Sequence, residues 1–301
     1  MASVSAWLVT FRLRTLPLAL STIILGSFLA AYRNSFHWSV FILAALTTLF
    51  LQTLSNLAND YGDTLHGVDN PDRTGPKRSL QTGAITLKQM KTAIVVCILL
   101  SLCSGIALLV VASGGLKLSY GLIMFVIGLA AIAAAMKYTM GKRPYGYAGL
   151  GDIAVFIFFG LVGVLGTFFL HTHYVGVEEV FPAMAVGFFS TGVLNLNNMR
   201  DIENDRLFGK HTIVVKMGGE RARWYHFSLI MAGIVCAVVY TLTTTSSGWK
   251  WLFLITVPLF LRSSIVVFKT REVTSLDPEL KYLALTTLLF SILFGAGLVI
   301  A

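Results

Sequence analysis

The sequence predicts an all-α fold: a polytopic membrane protein with nine transmembrane helices around a central cavity. Composition is the first observation behind that expectation. Of 301 residues, 56% are hydrophobic and only 12% are charged, and the mean hydropathy is +0.78, which a water-soluble globule cannot keep in solution. The second observation is repetition. Apolar runs near or above the roughly 18-residue membrane threshold recur from end to end, which excludes disordered, collagen-like and disulfide-stapled chains. The third is where the charges fall between those runs.

The runs lie at about 15–32, 38–59, 92–112, 117–136, 149–170, 180–198, 224–245, 249–268 and 282–300, each near the ~20 residues that a membrane helix needs. Ahead of the first, residues 5–13 read as a short amphipathic lead-in with Trp7 and Phe11 at the headgroup level. The eighth run is interrupted by Pro258 and contains Arg262, a costly residue within a membrane. Cys97, Cys103 and Cys236 all sit in apolar segments without CxxC or metal spacing, and read as small core residues. We expect one domain over 1–301, with two pseudo-repeated halves at about 15–136 and 149–245 and two C-terminal helices.

The net charge of +9 comes from 23 Lys and Arg against 14 Asp and Glu. With loops assigned alternately to sides A and B, beginning with the N-terminus on A, side B keeps only Arg33, Lys117 and Lys250, and the other 20 of the 23 cations fall on side A. An incorrect count would scramble that split. The positive-inside rule therefore supports nine spans and a cytoplasmic side A in a cell inner (plasma) membrane, with the C-terminus on the opposite side. No soluble basic module exists to dock a duplex, so a nucleic-acid partner is not expected; the partner is the lipid bilayer.

Half of the acids defy this pattern. Asp60, Asp63, Asp69 and Asp72 follow the second run, and Asp201, Glu203 and Asp205 follow the sixth. If the second run continues as a helix, Asn56, Asn59 or Asp60, and Asp63 stack on one face, and Gly67 permits a turn that returns Asp69 toward it. In the second stretch Asn197, Asp201 and Asp205 are four apart and share a face. Such residues at helix ends are also common caps and Asx turns. The matched pair on one membrane side favours a ligand site: oxygen donors without His or Cys suit a hard cation such as Mg²⁺, which binds through one or two carboxylates plus substrate phosphates. Arg73, Lys77 and Arg78 beside one stretch, and Arg200 and Lys210 beside the other, supply counter-charge for a pyrophosphate.

Asn59-Asp60-Tyr61-Gly62-Asp63 with Gly67 and Asp69, and Asn198-Met199-Arg200-Asp201 with Asp205, resemble the two aspartate-rich signatures of the UbiA superfamily of membrane prenyltransferases. The run from Asn56 to Asp63, the following Pro71-Asp72-Arg73-Thr74-Gly75-Pro76, and Asn197 to Asp201 are most similar to its menaquinone branch, whose acceptor is 1,4-dihydroxy-2-naphthoate. The likeness runs through nearly the whole chain, including Tyr138-Thr139 and Gly149-Leu150-Gly151-Asp152. One departure is Asn197, where the wider superfamily often has Asp; an amide still ligates a metal or bonds a phosphate oxygen.

The resemblance implies Mg²⁺-dependent transfer of a polyprenyl group from polyprenyl pyrophosphate to an aromatic acceptor with loss of the acceptor's carboxylate, giving demethylmenaquinone. On that reading Asp63, Asp69, Asp201 and Asp205 hold Mg²⁺, and with Asn59 they form the catalytic set. Arg73, Lys77, Arg78, Lys137, Arg200, Lys210, Asn197 and Asn198 bind pyrophosphate. Asn56, Tyr61 and Tyr138 face the acceptor or the allylic cation. Other readings stay open at this level: Lys137 to Pro144 as plain topology signal, Asp152 as a helix N-terminal carboxylate, His171 and His173 as a metal pair or interfacial residues, His66 as a proton handler or a loop residue, and Gly160, Gly163 and Gly166 as groove or packing. The same fold can serve 4-hydroxybenzoate, homogentisate or a non-aromatic alcohol. A secondary transporter also places acids in a bundle, though near the midplane rather than at one face.

Overall fold

In a bilayer every backbone N–H and C=O must find its partner within the chain, so runs this apolar fold as helices. The structure, a computed structural model, describes residues 2–69, 77–114, 117–244 and 247–301. Among the described residues nine helices are long and apolar enough to cross a membrane: Val4–Tyr32, Trp38–Leu65, Leu87–Ala112, Leu118–Lys137, Gly151–Thr172, Val180–Arg200, Gly219–Thr243, Gly248–Lys269 and Val273–Ile300. We number these spans one to nine. All nine expected runs are present, so the sequence count holds.

Several boundaries move for physical reasons. The second span continues to Leu65, six residues past the expected end, because Asn56, Asp60 and Asp63 are buried inside the bundle rather than hydrated. The third begins at Leu87, where Thr86 and Gln89 form a reciprocal capping box ahead of the apolar run. The eighth is not broken by its proline: a 3₁₀ segment, Gly248–Thr256, precedes an α-helix, Val257–Lys269, with Pro258 in its first turn, where the missing N–H has no helical partner to lose. Arg262 lies over the Tyr282 ring at 4.1 Å and donates to Glu279 at 2.7 and 2.8 Å.

The fifth span relaxes to π-helix over Phe156–Leu165, and its glycines serve packing. A Cβ on Gly160 would lie 2.7 Å from the Ala183 carbonyl of the sixth span, and one on Gly163 would lie 2.9 Å from Thr22 of the first. Spans one and five to nine share the main core, where Phe189 stacks on Phe260 at 4.0 Å and meets Phe290 edge-on at 5.1 Å. The fourth span is the opposite case: none of its residues is buried, so it stands as a single wall between the interior and lipid.

The lead-in forms a helix, Val4–Phe11, capped by Ser3. Trp7 and Phe11 pack on the cluster of Leu54, Leu57, Tyr61 and Ile85 instead of lying only at the headgroups. Thr10 and Ala6 both bond Ser79, which ties this helix to the segment after the first acidic stretch. At the B-side end, Arg33 clasps the buried Glu179 at 2.7 and 3.0 Å. His171 bonds Ser27 at 3.1 Å and accepts from the His37 backbone N–H at 3.2 Å, and His173 lies 2.9 Å from the Ala112 carbonyl. These histidines close the bundle and do not form a metal pair.

Candidate active site

The last two turns of the second span and the chain that follows build the first half of the site. Asn56 donates to the Phe11 carbonyl and to Thr15 Oγ1, each at 3.0 Å. Asn59 Oδ1 accepts from Arg12 at 3.0 Å and Arg78 at 2.9 Å. Asp60 takes the same two guanidiniums, with Arg78 at 2.6 Å. Asp63 accepts from the Tyr147 hydroxyl at 2.8 Å, and its other oxygen faces Arg78 at 3.3 Å. Gly67 adopts φ +75°, a left-handed turn open to glycine. The backbone N–H groups of Val68 and Asp69 then return to the Asp63 carbonyl, and Asp69 reaches 3.2 Å from Arg78 Nε. The expected return of Asp69 is observed.

Arg78 therefore stands among four side chains of the first motif. Burial opposes its charge, but Asp60, Asp69 and Asp63 outweigh that and hold it above the ordinary guanidinium range. Arg12 arrives by backbone geometry. It ends the lead-in helix at φ 49°, ψ 56°, a sparsely populated conformation for a non-glycine residue, and this turns its side chain onto Asn59 and Asp60.

The second motif supplies the opposing half. Arg200 grips both oxygens of its neighbour Asp201, at 2.9 and 2.7 Å, and donates to Asn197 Oδ1 at 2.9 Å and Asp277 at 2.5 Å. Lys210 lies 3.5 Å from Asp205 and 5.5 Å from the centre of the Tyr147 ring. Burial pushes the Asp205 carboxyl up to about 6 against the pull of Lys210, while Lys210 itself, despite its own burial, is held above its usual value by Asp63, Asp205 and Asp201. Asn204 donates to the Val68 carbonyl at 3.0 Å, so the two acidic stretches meet.

Below them runs a cavity of about 390 Å³. Its head is polar, with Arg12, Asn56, Asn59, Arg78, Asn197 and Lys210; most of its wall is apolar, including Leu18, Ile23, Leu108, Met124, Phe158 and Leu170. Tyr138 and Tyr145 line it as an edge-to-face pair 5.4 Å apart. Burial holds Tyr138 well above the usual phenol range, so the ring enters the cavity neutral. A second cavity of about 310 Å³ adjoins the head and shares Arg12, Arg78 and Asn197 with it, adding Arg14, Lys77 and Arg200.

Most of the expected site assembles here, with Asp63, Asp69, Asp201 and Asp205 paired to Arg78, Arg200 and Lys210 rather than lining either cavity themselves, and some of it does not. Tyr61 is buried against Leu54, Leu57 and Ile85, under Lys91 at 5.8 Å, and does not line the cavity; one helical step past Asp60 turns it about 100° away. Lys137 is exposed and lines neither cavity. Asn198 is buried and lines neither cavity. Arg73 lies outside the described residues. Asp152 is buried and accepts from Tyr225 of the seventh span at 3.1 Å. His66 places its ring nitrogens 2.8 Å from the Gly62 carbonyl and 3.1 Å from that of Gly141, holding the segment after the fourth span. Sequence reasoning missed Arg12, Tyr147 and Asp277 as site residues. Arg12 carried only a topology signal, and a tyrosine 84 residues from Asp63 has no local pattern to mark it.

A divalent cation was expected on four carboxylates. Among the described residues no three His, Cys, Asp or Glu side chains form a ready metal cage: Asp201 is engaged by Arg200 and Asp69 by Arg78. The donor chemistry nevertheless fits magnesium, because Asp63 Oδ2 and Asp205 Oδ2 are buried without a hydrogen-bond partner. Magnesium takes few protein carboxylates and completes its shell with phosphate oxygens and water.

Fold and site together define a multi-pass membrane protein with a charged head over an apolar, tail-sized cavity. The chain belongs to the UbiA prenyltransferase family, whose model matches residues 19–299. It is 43% identical over 293 residues to 1,4-dihydroxy-2-naphthoate octaprenyltransferase of Escherichia coli (97% of this chain, 94% of that protein). It is 41% identical over 297 residues to the protein of the same name from Haemophilus influenzae (98% and 96%). Among solved structures, a UbiA homolog from Aeropyrum pernix shares the fold at TM-score 0.70 and 17% identity (96% of this chain, 98% of that one). So does a UbiA homolog from Archaeoglobus fulgidus bound to GPP and Mg²⁺, at TM-score 0.67 and 17% identity (98% and 100%).

Proposed function

We propose that this chain transfers a polyprenyl group from polyprenyl pyrophosphate to 1,4-dihydroxy-2-naphthoate, with loss of the acceptor's carboxylate, in menaquinone synthesis. The observation that carries the reading is the meeting of both acidic motifs with Arg12, Arg78 and Lys210 at the head of an otherwise apolar cavity, and with Arg200 in the cavity that adjoins it. The curated relatives of that name support the acceptor assignment.

The residues account for the steps. Arg78, Lys210 and Arg12 face the head, where they bind the pyrophosphate oxygens and stabilise the negative charge that grows there as the allylic C–O bond breaks. Asp63 and Asp205 would hold the magnesium through their buried oxygens that lack hydrogen bonds, with Asp69 and Asp201 nearby on Arg78 and Arg200; a bound ion would help neutralise the departing pyrophosphate. The apolar wall receives the isoprenoid tail and excludes the water that would quench an allylic cation. Tyr138 and Tyr145 offer their π-faces to that cation. The electron-rich acceptor ring then forms the new C–C bond, and the ring carbon loses its carboxylate as carbon dioxide.

We infer further that side A is cytoplasmic and that the membrane is the cell inner membrane, so that the soluble acceptor arrives on the basic side. Asn59 and Asn197, 138 residues apart, both line the head, which supports reading 15–136 and 149–245 as pseudo-repeated halves. Purified protein supplied with polyprenyl pyrophosphate and dihydroxynaphthoate should give a product whose mass shows prenyl gain and carbon dioxide loss. A product that retains the carboxylate, or turnover only with another acceptor, would overturn the assignment.

A further inference from the structure

We propose that Asp277 is a positioning residue for the metal and pyrophosphate site, acting through Arg200 as the alternative anchor that allows Asp201 to be released to a divalent cation. The inference rests on the reading above. Asp277 begins the α-helix of the ninth span, Asp277–Ile300, far in sequence from both acidic motifs, and lines neither cavity. Its two oxygens are divided between two cations: Oδ1 takes Arg200 Nη1 at 2.5 Å and Oδ2 takes Arg14 Nη1 at 2.8 Å.

Arg200 is the shared element. Its side chain is 3% exposed, and its donors are committed in two directions: Nε and Nη2 to Asp201 and Asn197, Nη1 to Asp277. In this arrangement both oxygens of Asp201 are occupied by the guanidinium. A cation that ligates Asp201 must displace that fork, and a buried guanidinium left without a carboxylate is strongly disfavoured. Asp277 removes this obstacle. The Nη1 bond to Asp277 persists while Nε and Nη2 turn from Asp201 toward an incoming phosphate oxygen, so Arg200 is never left unpaired. Arg14 on the far oxygen keeps the Asp277 carboxylate in place during that rotation. Without the charge of Asp277, Asp201 is the one carboxylate left on Arg200 among the described residues, and the guanidinium competes harder with the metal.

A plain structural staple between the sixth and ninth spans would use the same contacts, so the test reads metal affinity directly. Detergent-purified full-length protein is titrated with Mn²⁺, followed by electron paramagnetic resonance, and with Mg²⁺ by calorimetry, both with a non-cleavable prenyl thiolopyrophosphate present. In Asp277→Asn the metal midpoint should rise about five-fold or more, the scale of one charge-assisted hydrogen bond, and Asp277→Glu should restore it. Arg14→Gln, which loosens the same carboxylate from its other side, should shift the midpoint the same way by less. This second variant decides the matter if Asp277→Asn does not fold. Unchanged midpoints in the variants, with only a lower melting temperature, would overturn the proposal and leave a staple. Wild-type protein that binds the thiolopyrophosphate equally well with and without metal would instead overturn the metal reading itself, and this inference with it.

Discussion

Arg78 shows how a single side chain can decide a site. By sequence it is one of three cations beside the first acidic stretch, expected on a pyrophosphate; in the structure it bonds or faces Asn59, Asp60, Asp63 and Asp69. Arg78→Ala strips a buried cation from three carboxylates, a loss on the order of 3–5 kcal/mol. We expect a large drop in melting temperature together with loss of turnover, and only partial recovery in Arg78→Lys because an ammonium lacks the planar fork. Asp63→Asn keeps the shape and removes one charge, so the fold should survive while kcat falls by about 100-fold or more, the scale set by losing transition-state charge stabilisation. Tyr61→Phe serves as the contrast: its ring packs away from the cavity, so activity per folded molecule should change less than two-fold, about 0.4 kcal/mol at most. A Tyr61→Phe enzyme as impaired as Asp63→Asn would show that the ring does meet the substrate.

Helix-scale contacts explain why the motif contains a glycine. A Cβ on Gly62 would lie 2.6 Å from the Thr139 carbonyl, and Thr139 Oγ1 donates to the Ala58 carbonyl at 2.9 Å. The segment that follows the fourth span is thereby pressed onto the second, which brings Tyr147 to Asp63. Gly62→Ala should push that segment away at a cost of about 1–3 kcal/mol and lower kcat even with Tyr147 and Asp63 intact. A thermal melt paired with kinetics separates the two effects, and unaltered kinetics would show that the close approach does not position the site. At the far end of the bundle, Arg33→Ala leaves Glu179 buried without its guanidinium. There we expect destabilisation of about 3 kcal/mol with little change in turnover per folded molecule, since the pair lies at the opposite membrane face.

For the whole molecule, topology and metal dependence are the measurable properties. In a background without Cys97, Cys103 and Cys236, a single cysteine at the exposed Lys117 should react with an impermeant reagent from the outside of intact cells, and cysteines at Lys142 or Arg271 only after lysis. The reverse pattern would invert the cytoplasmic assignment of side A. Chelation with EDTA should stop turnover, and added Mg²⁺ should restore it, because one buried oxygen each of Asp63 and Asp205 has no hydrogen bond to give up. Sequence periodicity already contained the nine spans, their alternating charge and the shared helical face of Asn59 and Asp63, since each follows from hydropathy or from 3.6-residue geometry within one element. It also contained the turn at Gly67. What only the tertiary structure decided was which cations answer those acids. Arg12 is aimed by a left-handed turn, Tyr147 by the close approach at Gly62, and Asp277 by the docking of the ninth span on the sixth. Tyr61, Lys137 and Asn198 are withdrawn by helix phase and packing. A local pattern specifies the direction of a side chain on its own helix; which partner stands opposite depends on how separate helices pack, and no spacing along the chain records that distance.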